Sequence, residues 1–281
     1  MNKQKYGLRE VQLTELQCLK DIDRLCRKYG IRYFLYCGTL LGCIRHQGFI
    51  PWDDDADIMM PLKDYYRFRQ LAEKELQERY FLSDPHSDRY ASTAWLKLNR
   101  KGTLYCTEEE RKSRVDKGIS LDVYPLVGAY EGWLGKLQTK ALLFQKALVG
   151  KELRQSADYA MVTRYEGMLR FLDKLPDALR KGLCILIEKL FWPDPAKHEN
   201  CGTVDAADFA GKYCYADWAE MIEGDFEGCA FPIPREYDRF LKRMYGNYME
   251  MPPTEKRVNH HAENAIIEIS EEVAAEIRNE L

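Results

Sequence analysis

From Leu8 to Tyr29 the apolar positions Leu8, Val11, Cys18, Leu19, Ile22, Leu25, Cys26 and Tyr29 keep to one side of a 3.6-residue period. That spacing predicts a helix, with Gly30 placed to cap its C-terminus. The period then changes. "IRYFLYC" (Ile31 to Cys37) is aromatic and β-branched and reads as a strand. Gly38 and Thr39 break it, "LLGCIRH" reads as a short helix, and "QGFIPW" as a loop. "DADIMM" (Asp55 to Met60) reads as a second strand ended by Pro61. A charged amphipathic helix follows from about residue 62 to 79, then strand candidates "STAWLKLN", "TLYC" and "GISLDVYPL". Beyond Tyr130 three helical patterns succeed one another, starting at Trp133, Asp158 and Pro176, before a mixed, aromatic and proline-rich tail. The expected architecture is α+β. Residues 1–127 form a core, 128–200 a helical subdomain or insertion, and 201–281 a C-terminal segment that completes the site.

Composition narrows the class. The 281 residues are 46% hydrophobic and 31% charged, as a soluble globular chain with a sizeable core requires. A net charge of -3 removes the basic field that a non-specific nucleic-acid binder needs, so no nucleic-acid partner is expected. The N-terminus has no apolar leader, and no run is long enough to span a bilayer. Nine scattered cysteines without a CxxC pair then read as reduced thiols of a cytoplasmic protein. His198, Cys201, Cys214 and Cys229 could be imagined around zinc, but their spacing fits no common zinc module.

Candidate chemistry concentrates in "WDDDADI". Asp55 and Asp57 stand two apart, so a strand aims both carboxylates the same way. Two like charges side by side repel, and nothing adjacent in sequence neutralises them. A divalent cation between them would, and Mg²⁺ takes one or two carboxylates while keeping positions for water and phosphate. A solvated acidic turn is the plainer reading of "DDD" alone, but the apolar partners in "DADIMM" call for burial. Asp53 and Asp54 precede the strand and suit a supporting role. Gly38 allows close backbone approach, and helix-start amides at Gly38 and Thr39 suit a phosphate, though such a turn is common. Asp122, alone among apolar residues in "GISLDVYPL", is either a paired core acid or a third site carboxylate.

Strand, Gly-Thr, helix, strand with D-x-D, then a later strand aspartate: this order resembles the nucleotidyltransferase superfamily of DNA polymerase β. Within it, "GTLLGCIRHQGFIPWDDDADI" resembles the signature of the LicD family, phosphocholine transferases of bacterial cell-surface glycans. Fukutin-related protein, a ribitol-phosphate transferase, belongs to the same wider group. Cys43, Ile44, Gln47 and Ala56 depart mildly from the family run. "WLKLNRKGT", "GISLDVYPL" and "FPIPREYDRFLKRMYGNYMEMPP" resemble further family segments, so matching motifs flank the helical middle.

The resemblance implies a polymerase-β-like mixed sheet with flanking helices and a helical insertion. It implies that Asp55, Asp57 and Asp122 hold Mg²⁺ or Mn²⁺, with Asp122 as ligand or general base. Gly38 and Thr39 would cradle phosphate, Arg45 and His46 would lie near it, and Lys97 would neutralise it. Tyr245, Gly246, Pro252 and Pro253 would shape turns and pocket walls, and Arg257 and His260 are weaker phosphate candidates. The implied reaction moves a substituted phosphate from a CDP-linked donor, CDP-choline first, to a sugar hydroxyl of a glycan or lipid-linked acceptor. A lipid-linked acceptor would bring the chain to the inner membrane face as a peripheral contact. Two alternatives share the fold: transfer of a nucleoside monophosphate to a small molecule with loss of pyrophosphate, and a non-catalytic nucleotide-binding relative.

Overall fold

The computed structural model describes residues 6–150, 166–205, 213–259 and 265–280. Helix α1 (Leu8–Tyr29) buries its apolar stripe, and Gly30 closes it in the left-handed conformation (φ 60°). Strand β1 is short, Phe34–Leu35, because α2 (Cys37–His46) begins before the Gly-Thr pair. Cys37 takes φ 43°, an unusual value for a non-glycine residue, at the turn between them. β2 (Ala56–Pro61) and α3 (Leu62–Glu75) follow as the pattern predicts. β3 (Tyr80–Ser83) was not foreseen, since no glycine or proline separates it from α3. β4 (Leu96–Arg100), β5 (Thr103–Cys106) and β6 (Ser120–Gly128) match the later strand candidates, with trimmed or shifted ends.

The central mixed sheet runs β1-β2-β6-β4-β3. Among the described strands, β2 with β6 is its one parallel pair, and the others are antiparallel. β7 (Asn200–Gly202) pairs with the far end of β6 and with β8 (Tyr213–Cys214). Every residue of β2 is buried, as expected of a strand covered on both faces.

Helices α4 (Gly132–Val149), α5 (Glu166–Asp173) and α6 (Asp177–Phe191) occupy the three helical patterns; residues 151–165 lie outside the described set. Their buried faces share a small cluster around Leu148, Leu172, Cys184 and Ile187, while Leu142 and Trp192 join the main core. No helix among the described residues is long and apolar enough to cross a membrane.

The tail closes the molecule in two places. Strands β9 (Met221–Phe226) and β10 (Cys229–Pro234) form a hairpin whose turn residues Glu227 and Gly228 both have positive φ, 54° and 72°. Helix α7 (Tyr237–Tyr245) follows it. β11 (Ile266–Ile269) pairs with β5, and α8 (Glu271–Glu280) packs on α1. Trp218 stacks on Phe34 of β1 at 4.5 Å and meets Phe240 of α7 edge-on, also at 4.5 Å. Trp218 is 2% exposed, so its replacement by alanine opens a cavity inside the shared core. Trp218→Ala is expected to cost about 3–5 kcal/mol in urea unfolding. A loss below about 1 kcal/mol would mean that the tail is not part of that core.

Candidate active site

Register places the acids. Asp57 on β2 sits opposite Asp122 on β6, and Asp122 opposite Lys97 on β4. Residues paired in this way point to the same face, so the three strands present a row of Asp57, Asp122 and Lys97. Asp55 precedes Asp57 by two and joins that face. A cavity of about 290 Å³ opens there, lined among others by Glu15, Asp54, Asp55, Lys97, Tyr105 and Asp122. Asp57 lies behind this lining and is 6% exposed.

The electrostatics are those of a charge cluster short of cations. Lys97 Nζ stands 3.3 Å from Asp122 Oδ1. Burial pulls the Lys97 ammonium down, but Asp122, Asp55 and Asp57 outweigh it and hold the pKa above the ordinary lysine value. Burial first, and then Asp122, raises the Asp55 carboxyl. Burial, Asp55 and Asp122 together raise Asp57 well above the carboxylate range. Asp53 is pushed up to about 8 by burial and the neighbouring Asp55 charge. Asp57 Oδ1 is buried without a hydrogen-bond partner, and Asp122 Oδ1 has only the ion pair with Lys97. An acceptor left in this state is costly unless something fills it.

These oxygens are hard donors of the kind that Mg²⁺ or Mn²⁺ takes. No group of three or more His, Cys, Asp or Glu among the described residues converges as a closed metal cage. The donor set fits a cation held by one or two carboxylates, with its other positions open. His198, Cys201, Cys214 and Cys229 likewise form no ligand set; Cys201 Sγ instead contacts the Tyr213 carbonyl at 3.5 Å.

The remaining predicted residues divide. Gly38 lies in the first turn of α2, against Asp53: a Cβ there would come within 2.5 Å of Asp53 Oδ2. The Thr39 hydroxyl is buried and accepts the Asp57 amide at 2.8 Å, tying α2 to β2 beside the acids. Arg45 and His46 do not line the cavity. Arg45 donates to His46 Nε2 at 3.0 Å and to the Tyr248 carbonyl at 2.9 Å. His46 meets Trp52 edge-on, and Arg257 lies over the same Trp52 ring while donating to the Pro252 carbonyl. His260 lies outside the described residues.

The approach to β2 is gripped from several sides. Gln12 of α1 donates to the Ile50 and Asp53 carbonyls. Glu227, at the β9–β10 turn, accepts the Phe49 amide at 3.1 Å and pairs with Arg9 at 2.6 Å. Its own amide donates to the Gln47 carbonyl, and Phe49 packs edge-on against Phe226. Tyr105 donates to Asp54 Oδ2 at 2.5 Å. Sequence reasoning missed Glu15, Tyr105 and Glu227 here. For Glu15 a signal existed: it is an acid on the buried stripe of α1, four residues after Val11 and four before Leu19.

Two expectations follow. Thr39→Val leaves the buried Asp57 amide without an acceptor and should cost about 1–3 kcal/mol in chemical denaturation, while Thr39→Ser is near neutral. Equal losses in both would remove the hydroxyl as the tie. A carboxyl raised above its unfolded value binds its proton more tightly in the folded chain, so its penalty grows as pH rises from the unfolded to the folded value and levels off above it. The cation-free chain should therefore lose thermal stability between about pH 4 and about pH 8, and Asp53→Asn should flatten that slope. An unchanged slope in the variant rules out Asp53 as the source.

Comparison with known proteins agrees with this layout. The family "LicD/FKTN/FKRP, nucleotidyltransferase domain" matches residues 30–139, from the end of α1 into α4. The chain is 29% identical over 270 residues to the lipopolysaccharide cholinephosphotransferase LicD of Haemophilus influenzae, covering 94% of this chain and 99% of that one. It is 48% identical over 42 residues to human ribitol 5-phosphate transferase FKRP, 15% of this chain and 8% of that one. An uncharacterized protein of Rickettsia typhi is 43% identical over 68 residues, 24% of this chain and 22% of its own. Residues 30–139 thus match the LicD/FKTN/FKRP nucleotidyltransferase domain, and the chain is a LicD-like phosphotransferase.

Proposed function

We propose that the chain transfers a substituted phosphate, such as phosphocholine, from a CDP-linked donor such as CDP-choline to a sugar hydroxyl of a cell-surface glycan or its lipid-linked precursor. The row Asp57, Asp122 and Lys97 carries this reading, because it sets a partnerless Asp57 oxygen directly behind an Asp122–Lys97 pair that lines a cavity. The activities for which LicD and FKRP are named, transfer of phosphocholine and of ribitol 5-phosphate, support transfer of a phosphate that carries an alcohol. The mixed sheet with its parallel β2–β6 pair is in keeping with a polymerase-β-like nucleotidyltransferase core.

On this reading Asp55, Asp57 and Asp122 would hold Mg²⁺ or Mn²⁺, which when bound neutralises charge on the transferred phosphoryl group and the leaving CMP. Lys97, kept charged by its carboxylate neighbours, pairs with a phosphate oxygen of the donor. Asp122 takes or orients the proton of the acceptor hydroxyl. The acceptor oxygen bonds to the transferred phosphorus as the bond from that phosphorus to CMP breaks, and the proton passes through Asp122 to solvent. Amides in the first turn of α2, at Gly38 and Thr39, are suited to a phosphate oxygen, while the Thr39 hydroxyl keeps Asp57 in place. Arg45 and His46, off the cavity, take no step.

Purified chain incubated with Mg²⁺, CDP-choline and a glycan acceptor should release CMP and form a phosphocholine-bearing sugar. Pyrophosphate released from a nucleoside triphosphate would instead mark nucleotidyl transfer. Asp55→Asn and Asp122→Asn should each lower turnover by about a thousandfold with an unchanged circular dichroism spectrum. Near-wild-type turnover in either variant removes that residue from the reaction.

A further inference from the structure

Glu15 is the acid that neither the reaction nor the fold explains. It lies on the buried stripe of α1, outside the matched residues 30–139, and is 2% exposed. Its Oε2 is buried without a hydrogen-bond partner, yet the side chain lines the same cavity as Asp54, Asp55 and Asp122. No cation is paired with it among the described ion pairs. Helix α1 cannot slide away to relieve the crowding, because Gln12, one turn before Glu15, is bonded to the Ile50 and Asp53 carbonyls.

A core carboxyl of purely structural purpose would be expected to find a donor. Glu15 keeps a buried acceptor without a donor in the wall of a cavity whose two lysines are engaged elsewhere, Lys97 against Asp122 and Lys117 on the Ser113 and Val115 carbonyls. Tyr105, on the same cavity wall, donates its hydroxyl to Asp54. A carboxylate without a donor beside a cavity is complementary to a small positive charge.

We propose that Glu15 is a binding residue for a small cation in the reaction cavity, so that α1 contributes a carboxylate to the site in addition to those on β2 and β6. The cation is either a divalent metal ion or the ammonium of an organic head group. The inference rests on the reading of this cavity as the reaction site.

Titration calorimetry of the full chain with Mn²⁺ in one arm and tetramethylammonium in the other tests it, with Glu15→Gln, Glu15→Asp and Asp57→Asn beside the wild type. Glu15→Gln keeps the shape and removes the charge, and should weaken binding about tenfold in whichever arm supplies the cation. Glu15→Asp should retain most of it. Loss in the Mn²⁺ arm identifies the metal, and loss in the other arm the head group. Unchanged binding of both probes by Glu15→Gln overturns the inference and leaves the cavity reading intact. Equal loss in Glu15→Gln and Glu15→Asp overturns it too, as a packing effect. If wild type and Asp57→Asn alike bind neither probe, the cavity reading falls with it.

Discussion

The parallel pairing of β2 with β6 is the constraint on which the site depends. It alone brings Asp57 opposite Asp122. Slippage by one residue would turn the acids of β2 to the other face, into the core. Antiparallel β4 then sets Lys97 beside Asp122, so two acids and one base lie across three strands. Parallel strands need a crossover, and the chain supplies it with α3 and β3–β5 between β2 and β6. The like charges make this face repulsive, as the raised Asp55 and Asp57 carboxyls record. The chain therefore has to hold β2 in register against its own electrostatics.

That restraint explains the apolar "GFIPW" loop beside the acidic run. Phe49 and Ile50 are buried, which anchors the loop in the main core immediately before Asp53. Glu227 grips the Phe49 amide from the hairpin turn, and Gln12 grips the carbonyls at Ile50 and Asp53 from α1. Thr39 holds the Asp57 amide from the other side. Each is a hydrogen bond to backbone, which fixes the position of the strand without adding charge to it. Asp55 and Asp122 thereby line the cavity with Asp57 behind them, and their repulsion is opposed by backbone contacts that add no charge.

Much of this was legible in the sequence. The strand period separated Asp55 and Asp57 from Asp53 and Asp54, and the structure keeps Asp55 and Asp57 on the shared face. Asp122 and Lys97 could be nominated from their strands, although only sheet order could make them neighbours. What stayed hidden depends on long-range packing. Glu227 sits in an unremarkable hairpin turn, and its partners Arg9 and Phe49 are 218 and 178 residues away. β3 follows α3 without a breaker, so local pattern gave it no boundary. Arg45 and His46 sit in a charged motif but turn to Tyr248 and Trp52, a choice made by the tail. Thr39 was read for its helix-start amide, and its hydroxyl oxygen in addition accepts a strand amide that no local pattern announces.

The site is therefore larger than the stretch that carries its motif. Residues 30–139 supply the acidic row, but its hold comes from α1 before them and from the β9–β10 hairpin after them. β11 covers the edge of β5, the strand that places Tyr105 against Asp54, and α8 ties β11 back to α1. Both ends of the chain thus converge on one acidic wall. The likeness to the Haemophilus influenzae protein runs over 94% of the chain, in keeping with a site whose supports come from both ends. A fragment cut to residues 30–139 would keep every aspartate of the row and lose Gln12, Arg9 and Glu227 together. Left with the repulsion and without its restraints, β2 would have little to keep its register.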